Sequence, residues 1–329
     1  MVALAAGKEA FSDYSHKYSP HKFTQPQLFA CLVLKELEKK DYRGIVQLLL
    51  DWTELRQVVG LQAVPHYTTL QKASRRLLKL KPIRALLSDT VRRIRKGRRS
   101  VPFAAGDSSG FDAHHASRYF IWRRDTHAED EKRPKKRASY RHYGKLMVIV
   151  CCKTHAILAA VASRGPTPDI DQLDEVMARL PPKPDLKIGH MILDAGFDSA
   201  HNHQLLRQTH DMRSTIPPEH GRPSKNPDAL PRDRWRRLMK IRFRRGRPAS
   251  YRNRTQVETV FSMLKRNLGA ALRARSEHGR RRDLFLRVLT HNIALAILRV
   301  FYRADSTPLI APGEPFSVPR LDGRLTHRR

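Results

Sequence analysis

Apolar positions recur at helical spacing through the first hundred residues. Thr24 with Gln27 forms the pattern of a capping box, and Leu28, Cys31, Leu32 and Leu34 supply the stripe behind it. Ile45, Leu48, Leu49 and Trp52 make a second stripe, with Val58, Val59 and Leu61 following before Pro65 stops the pattern. Thr68 or Thr69 could cap a third helix carrying Leu70, Ala73, Leu77 and Leu78, and Ile83, Leu86, Leu87 and Val91 mark a fourth. Residues 1–22 carry no such pattern and read as poorly structured. This helical unit could hold a helix-turn-helix DNA reader or be a purely structural cap.

The period changes near residue 101. Val101–Asp107 reads as a short buried strand ending at an acid. After a polar stretch, residues 145–152 and 156–161 are two strands joined by a tight turn at Lys153-Thr154-His155, a hairpin. Thr167-Pro168-Asp169 starts a helix running to Leu180, with proline in its first turn. Residues 188–193 form a strand that again ends at an acid, Asp194. Ser199 caps a helix through Gln208, and Met212–Ile216 makes a fifth strand. A Pro-, Gly- and Arg-rich insert spans about 218–250, followed by helices at about 251–268 and 282–302 and a frayed tail. A hairpin next to alternating strands and helices predicts a mixed α/β sheet.

Composition then narrows the partners. The 329 residues hold 64 Lys and Arg against 31 Asp and Glu, a formal net charge of +33. A chain so charged repels itself, and a polyanion is the natural partner. Membranes are disfavoured: there is no apolar run of about 18 residues, and the N-terminal apolar segment is too short for a signal sequence, with Glu9 and Asp13 close behind. Cys31, Cys151 and Cys152 are an odd set without metal-type spacing, which fits a reducing cytoplasm.

Three acids stand out by position. Asp107 and Asp194 each follow a strand, where open α/β sheets gather their ligands. Glu258 lies in the helix after the insert, and the three converge if that helix lies beside the first strand. Converging carboxylates repel one another unless a hard divalent cation sits among them. Two such ions about 3.5–4 Å apart can serve both the attacking and the leaving oxygen of a phosphoryl displacement. Taken singly, either aspartate could be a turn or cap residue.

The Glu258 segment is the most specific feature. Tyr251, Arg254, Glu258 and Lys265 sit at offsets of 0, 3, 7 and 14, within an arc of roughly 60° on a regular helix. Val257, Val260, Phe261 and Leu264 fill the adjoining arc, so the polar stripe borders the core. The plain alternative is a solvated face with an Arg–Glu pair at i, i+4, worth about 0.2–0.5 kcal/mol. Around it, residues 221–256 hold 13 Lys and Arg against 2 Asp, net +11, including Arg234-Trp235-Arg236-Arg237 and Arg242-Phe243-Arg244-Arg245. Arginine beside aromatics suits phosphate contact and base stacking. His114, His115, His127 and His142 could suggest zinc but lack ligand spacing. Ser108 or Ser109 as nucleophile lacks an elbow motif.

The ordered set Tyr-x2-Arg-x3-Glu-x6-Lys, here Tyr251, Arg254, Glu258 and Lys265, resembles the signature of bacterial insertion-sequence transposases with a DDE triad. Gly106-Asp107-Ser-Ser-Gly-Phe111 is similar to the family's first acidic block, and Leu193-Asp194-Ala-Gly-Phe-Asp198-Ser199 to its second. Residues 23–73 resemble the helical N-terminal region, so the similarity covers about residues 12–302. Ser117–Tyr143 matches no motif.

The resemblance implies a ribonuclease H-like mixed sheet with flanking helices over residues 99–305. It is preceded by a helical DNA-end-binding domain at 1–98 and followed by a basic tail at 306–329. It implies Asp107, Asp194 and Glu258 as catalytic metal ligands for two Mg²⁺ or Mn²⁺ ions, and Tyr251, Arg254 and Lys265 as holders of terminal DNA phosphates. Trp235 could hold a flipped base, or be an ordinary core or interface residue. The implied partners are double-stranded DNA, as terminal inverted repeats and target, and a second protomer, in a bacterial nucleoid-associated setting. Two rivals remain: a nuclease that never joins strands, and a domesticated DNA-binding regulator, whose expected mark is a broken triad. No triad position is substituted here.

Overall fold

The computed structural model describes residues 1–18, 20–113, 143–165, 167–183, 185–218 and 229–301. The four histidines considered for zinc, most of the unmatched polar stretch and the basic tail lie outside the described residues.

Six helices open the chain: α1 (Val2–Ala10), α2 (Gln25–Leu37), α3 (Tyr42–Asp51), α4 (Thr53–Val59), α5 (Tyr67–Leu77) and α6 (Leu80–Arg95). The expected capping box is present, with Thr24 accepting from the Gln27 amide and the Gln27 side chain accepting from the Thr24 amide at 2.9 Å. Two expectations are corrected. Helix α1 falls in a segment read as unstructured, because Ala6 and Gly7 are small enough to let it lie directly on Pro26 and Phe29 of α2. Helix α5 starts from His66 rather than Thr68 or Thr69, with no side-chain cap.

The sheet is mixed, as expected. Its strands are β1 (Ser100–Ala113), β2 (Tyr143–Cys151), β3 (Ile157–Gly165), β4 (Lys187–Ile192), β5 (Arg213–Thr215) and a short β6 (Ala271–Leu272). The order is β3-β2-β1-β4-β5, with β6 beside the end of β1. β2 is antiparallel to both β1 and β3, while β4 and β6 are parallel to β1 and β5 is parallel to β4. The β2–β3 turn falls at the predicted tripeptide, where His155 takes a positive φ of 56°. The helix expected from Pro168 to Leu180 is a 3-10 turn followed by the short α7 (Leu173–Met177). After Asp194, Ser199 caps α8 (Ala200–Gln204), which passes into a π-helical turn, Leu205–Thr209.

The insert is also corrected: it contains α9 (Arg234–Arg244), capped by Asp233, whose carboxylate accepts from the Trp235 and Arg236 amides. Its periodicity is masked by arginine on nearly every turn, and only Met239 is buried. Then come α10 (Thr255–Leu268) and α11 (Glu277–Phe301).

One sheet face is covered by α10, α11 and the N-terminal helices in one continuous apolar core. The other is covered around Leu173, Val176, Met177 and Leu206. Asn292 of α11 pins that helix to β3 and α6. Fully buried, it accepts from the Ile157 amide and donates to the Ile157 carbonyl, both at 2.9 Å, and reaches Thr90 of α6 at 3.3 Å. Asn292→Leu would strand a buried amide and carbonyl. A loss of about 2–4 kcal/mol is expected in urea denaturation, since each orphaned group costs about 1–3 kcal/mol; a loss below about 0.5 kcal/mol would contradict this role.

Candidate active site

The parallel pairing of β1 with β4 ends at Ala105 opposite Ile192. Two residues further along each chain stand Asp107 and Asp194, so the acids sit side by side where the strands part. That is the crevice at strand carboxyl ends, between a chain that continues and one that turns away. Asp107 does not end its strand, as had been expected. β1 runs six residues further because Asp107 to Phe111 stay paired with Val148 to Gly144 of β2. Gly106 beside it lets Leu193 approach closely, since a Cβ there would come within 2.7 Å of the Leu193 side chain and force it to shift.

The third acid arrives on α10, which lies against β1 and β2 through buried Val257, Val260, Phe261 and Leu264. The segment is not one regular helix from residue 251. Ala249–Arg254 is a 3-10 turn, and the α-helix starts at Thr255. The polar stripe survives this tighter turn.

Arg254 is the hub of the site. Its Nη2 lies 3.5 Å from Asp107 Oδ2 and 3.1 Å from Asp194 Oδ2, and its Nη1 donates to Glu258 Oε1 at 2.6 Å. The structure thus brings all three predicted acids onto one guanidinium. Burial works to lower the Arg254 pKa, but Asp194, Asp107, Tyr251 and Glu258 together hold it above the ordinary value. The Asp107 carboxyl is pushed up, mainly by burial and further by the charges of Asp194 and Asp169, against the opposing Ser108 amide and Arg254. The Tyr251 hydroxyl points at Asp194 Oδ1 from 3.5 Å, and burial raises its pKa. Lys265 lies further along the stripe, where its Nζ donates to Ser109 Oγ at 2.7 Å and stands over the Phe111 ring.

Sequence reading missed a network behind Asp107. Asp169 accepts from Ser108 Oγ and pairs with Lys145, which is buried and also donates to the Thr167 carbonyl. Thr167-Pro168-Asp169 gave only a helix-start signal, and Lys145 looked like the polar end of a strand. Trp235 is half-buried, with the Arg207 guanidinium 4.3 Å from its ring and Arg234 4.8 Å away. Its neighbour Arg236 makes a two-pronged contact with buried Asp198, at 3.1 and 3.0 Å, tying α9 to the loop after Asp194.

Among the described residues, no three His, Cys, Asp or Glu side chains converge on a point that could hold an ion. The acids are instead grouped around the Arg254 nitrogens, so a cationic centre already bridges Asp107 and Asp194. An all-carboxylate set arranged about a positive charge fits a hard, oxygen-seeking divalent cation. Glu258 is half-exposed and Asp107 mostly sheltered, so the site opens at one side.

Two acids just past the last paired residues of β1 and β4 and a third on α10 thus form an acidic site in a chain of formal net charge +33. The family model described as Transposase DDE domain matches residues 102–293, and the chain belongs to that family. A search of the curated proteins returns no match. Among solved structures, the chain is similar to the crystal structure of a pre-cleavage Mos1 transpososome, at 12% identity over 88% of this chain and 82% of that one, with a TM-score of 0.20. Among the described residues, no helix is long and apolar enough to cross a membrane.

Proposed function

We propose that this transposase cuts DNA at the ends of a mobile element and joins the new 3′ ends to target DNA, with Asp107, Asp194 and Glu258 as its catalytic acids. The observation that carries the reading is the gathering of these acids on one guanidinium at the β1–β4 crevice. In the first step water attacks a phosphodiester, the bond to the 3′ oxygen breaks, and a proton restores the 3′-hydroxyl. In the second that hydroxyl attacks a target phosphodiester and displaces a new 3′-hydroxyl, with no net change in bond count.

Asp107 and Asp194 would hold a divalent cation between them, and Glu258 would complete a site for two. Mg²⁺ or Mn²⁺ bound there would lower the pKa of the attacking water and neutralise charge on the leaving oxygen. Arg254 would exchange its carboxylate partners for a DNA phosphate, which its planar fork fits. Tyr251 and Lys265 would border that phosphate. Residues 1–98 would bind the element ends, and two protomers would bring two ends together. The formal charge of +33 supports duplex DNA as the partner.

A strand-transfer assay with Mg²⁺ tests this reading. Pre-cleaved duplexes made from the DNA that flanks the gene on each side are mixed with plasmid. Joined product is the expected result. Nicking without joining would leave a nuclease, and binding without either would leave a DNA-binding regulator.

A further inference from the structure

We infer that Arg207, Arg213 and Arg242, gathered at the outer edge of the sheet, form a second phosphate site that grips the DNA backbone away from the triad. The inference rests on DNA being the substrate. β5 is the edge strand, and its register sets Arg213 directly opposite His190 of β4. Arg207 reaches the same strand from the π-helical turn. Its Nε donates to Ser214 Oγ and its Nη2 to the Ser214 carbonyl, both at 2.8 Å, while Trp235 stacks on its guanidinium. Arg242 comes from α9, two turns after Trp235.

These cations are grouped without relief. Among the described residues no carboxylate pairs with Arg207, Arg213 or Arg242, whereas Arg92, Arg179, Arg236, Arg254 and Arg281 each have one. Burial, then the charges of Arg242 and Arg213, pull the Arg207 pKa down. Burial and the same three arginines push His190 to about 4, so this imidazole is neutral near pH 7 and bonds Thr215 at 2.7 Å. Like charges held together disfavour the fold, and an anion relieves them. Arginine forks suit phosphate oxygens better than a diffuse field does.

The position suits a duplex lying across the site. His190 is four residues before Asp194 on the same extended chain, about 13 Å at the rise of a strand, or about four base-pair steps. The arrangement also gives Trp235 a role. Rather than receiving a flipped base, it backs Arg207 and fixes the direction of the guanidinium.

The test uses the full chain and a fluorescent duplex of arbitrary sequence, with affinity followed by anisotropy across a salt series. Arg213→Gln/Arg242→Gln is expected to weaken binding about tenfold near physiological salt and to flatten the log–log salt dependence by about 2. Lys153→Gln/Lys187→Gln removes equal charge from exposed positions at the opposite end of the sheet and is expected to cost less than about threefold. Trp235→Ala is expected to weaken binding and Trp235→Phe to restore it, with circular dichroism melts confirming that each variant folds. An unchanged affinity and slope in the arginine pair would overturn the inference. So would an equal loss in the lysine control. Wild-type protein that fails to bind any duplex would instead overturn the DNA reading itself.

Discussion

Glu258→Gln is expected to lose Mg²⁺-dependent nicking by a thousandfold or more, on the order reported when one transition-state-stabilising group is removed or a metal site is broken. The substitution keeps shape and removes charge. Glu258 is half-exposed and its bond to Arg254 is an i, i+4 surface pair, so the fold should lose no more than about 0.5 kcal/mol. Duplex affinity should hold or rise, because a negative charge leaves a basic face. Asp194→Asn should behave alike. Asp107→Asn should match them in activity but differ in stability. The folded Asp107 carboxyl has a raised pKa, so the folded state holds its proton more tightly than the unfolded chain. Stability is therefore lost as pH rises through that folded pKa, and the ionised group destabilises the fold at neutral pH. The asparagine variant should unfold at equal or higher urea concentration, the mark of a site that trades stability for chemistry. Nicking by Glu258→Gln within about tenfold of wild type would sink the triad assignment.

The meeting of Asp107, Asp194 and Glu258 was legible because it follows from position. Asp107 and Asp194 end two apolar runs, and Glu258 shares a helix stripe with Tyr251, Arg254 and Lys265. Arg254 was legible as a site residue but not as the hub, since three ion pairs on one guanidinium depend on how β1, β4 and α10 meet. The extension of β1 past Asp107 was hidden by its composition. Ser108, Ser109 and Gly110 are poor strand formers held by pairing with β2, and Asp112 by pairing with β6, a case of tertiary structure overriding local propensity. Helix α9 was hidden for the opposite reason, having one buried side chain and a face full of arginine. Lys145 and Asp169 lie far apart in sequence, and nothing local marks them as partners of Ser108. The same is true of Arg207 and Trp235.

Arg287→Leu is expected to destabilise the protein by about 3–5 kcal/mol, the cost of breaking a buried ion pair from one side. Arg287 of α11 is buried, as are Glu36 and Lys35 of α2, which pair with each other. Arg287 Nε lies 3.6 Å from Glu36 Oε2, an ion pair too long for a hydrogen bond. Its other nitrogens donate to the carbonyls of Gly269, at 2.7 Å, and Ala271, at 2.6 Å. Gly269 ends α10 with a φ of +98°, and Ala271 opens β6, which pairs with the last residues of β1. One side chain thus joins the N-terminal helices to the turn that seats α10 beside β1. Burial lowers its pKa, while Glu36 and Asp283 oppose the shift. Loss of the guanidinium leaves two carbonyls without donors and Glu36 with Lys35 alone. Replacing all three buried charges, Lys35→Met with Glu36→Met and Arg287→Met, should recover part of the loss, because buried ionic groups exchanged together for apolar side chains of similar volume are often close to neutral, while the Gly269 and Ala271 carbonyls still lack donors. Urea denaturation of Arg287→Leu and of the triple variant measures both effects. A loss below about 1 kcal/mol in Arg287→Leu, or a triple variant no better than it, would show that Arg287 is not the tie between these layers.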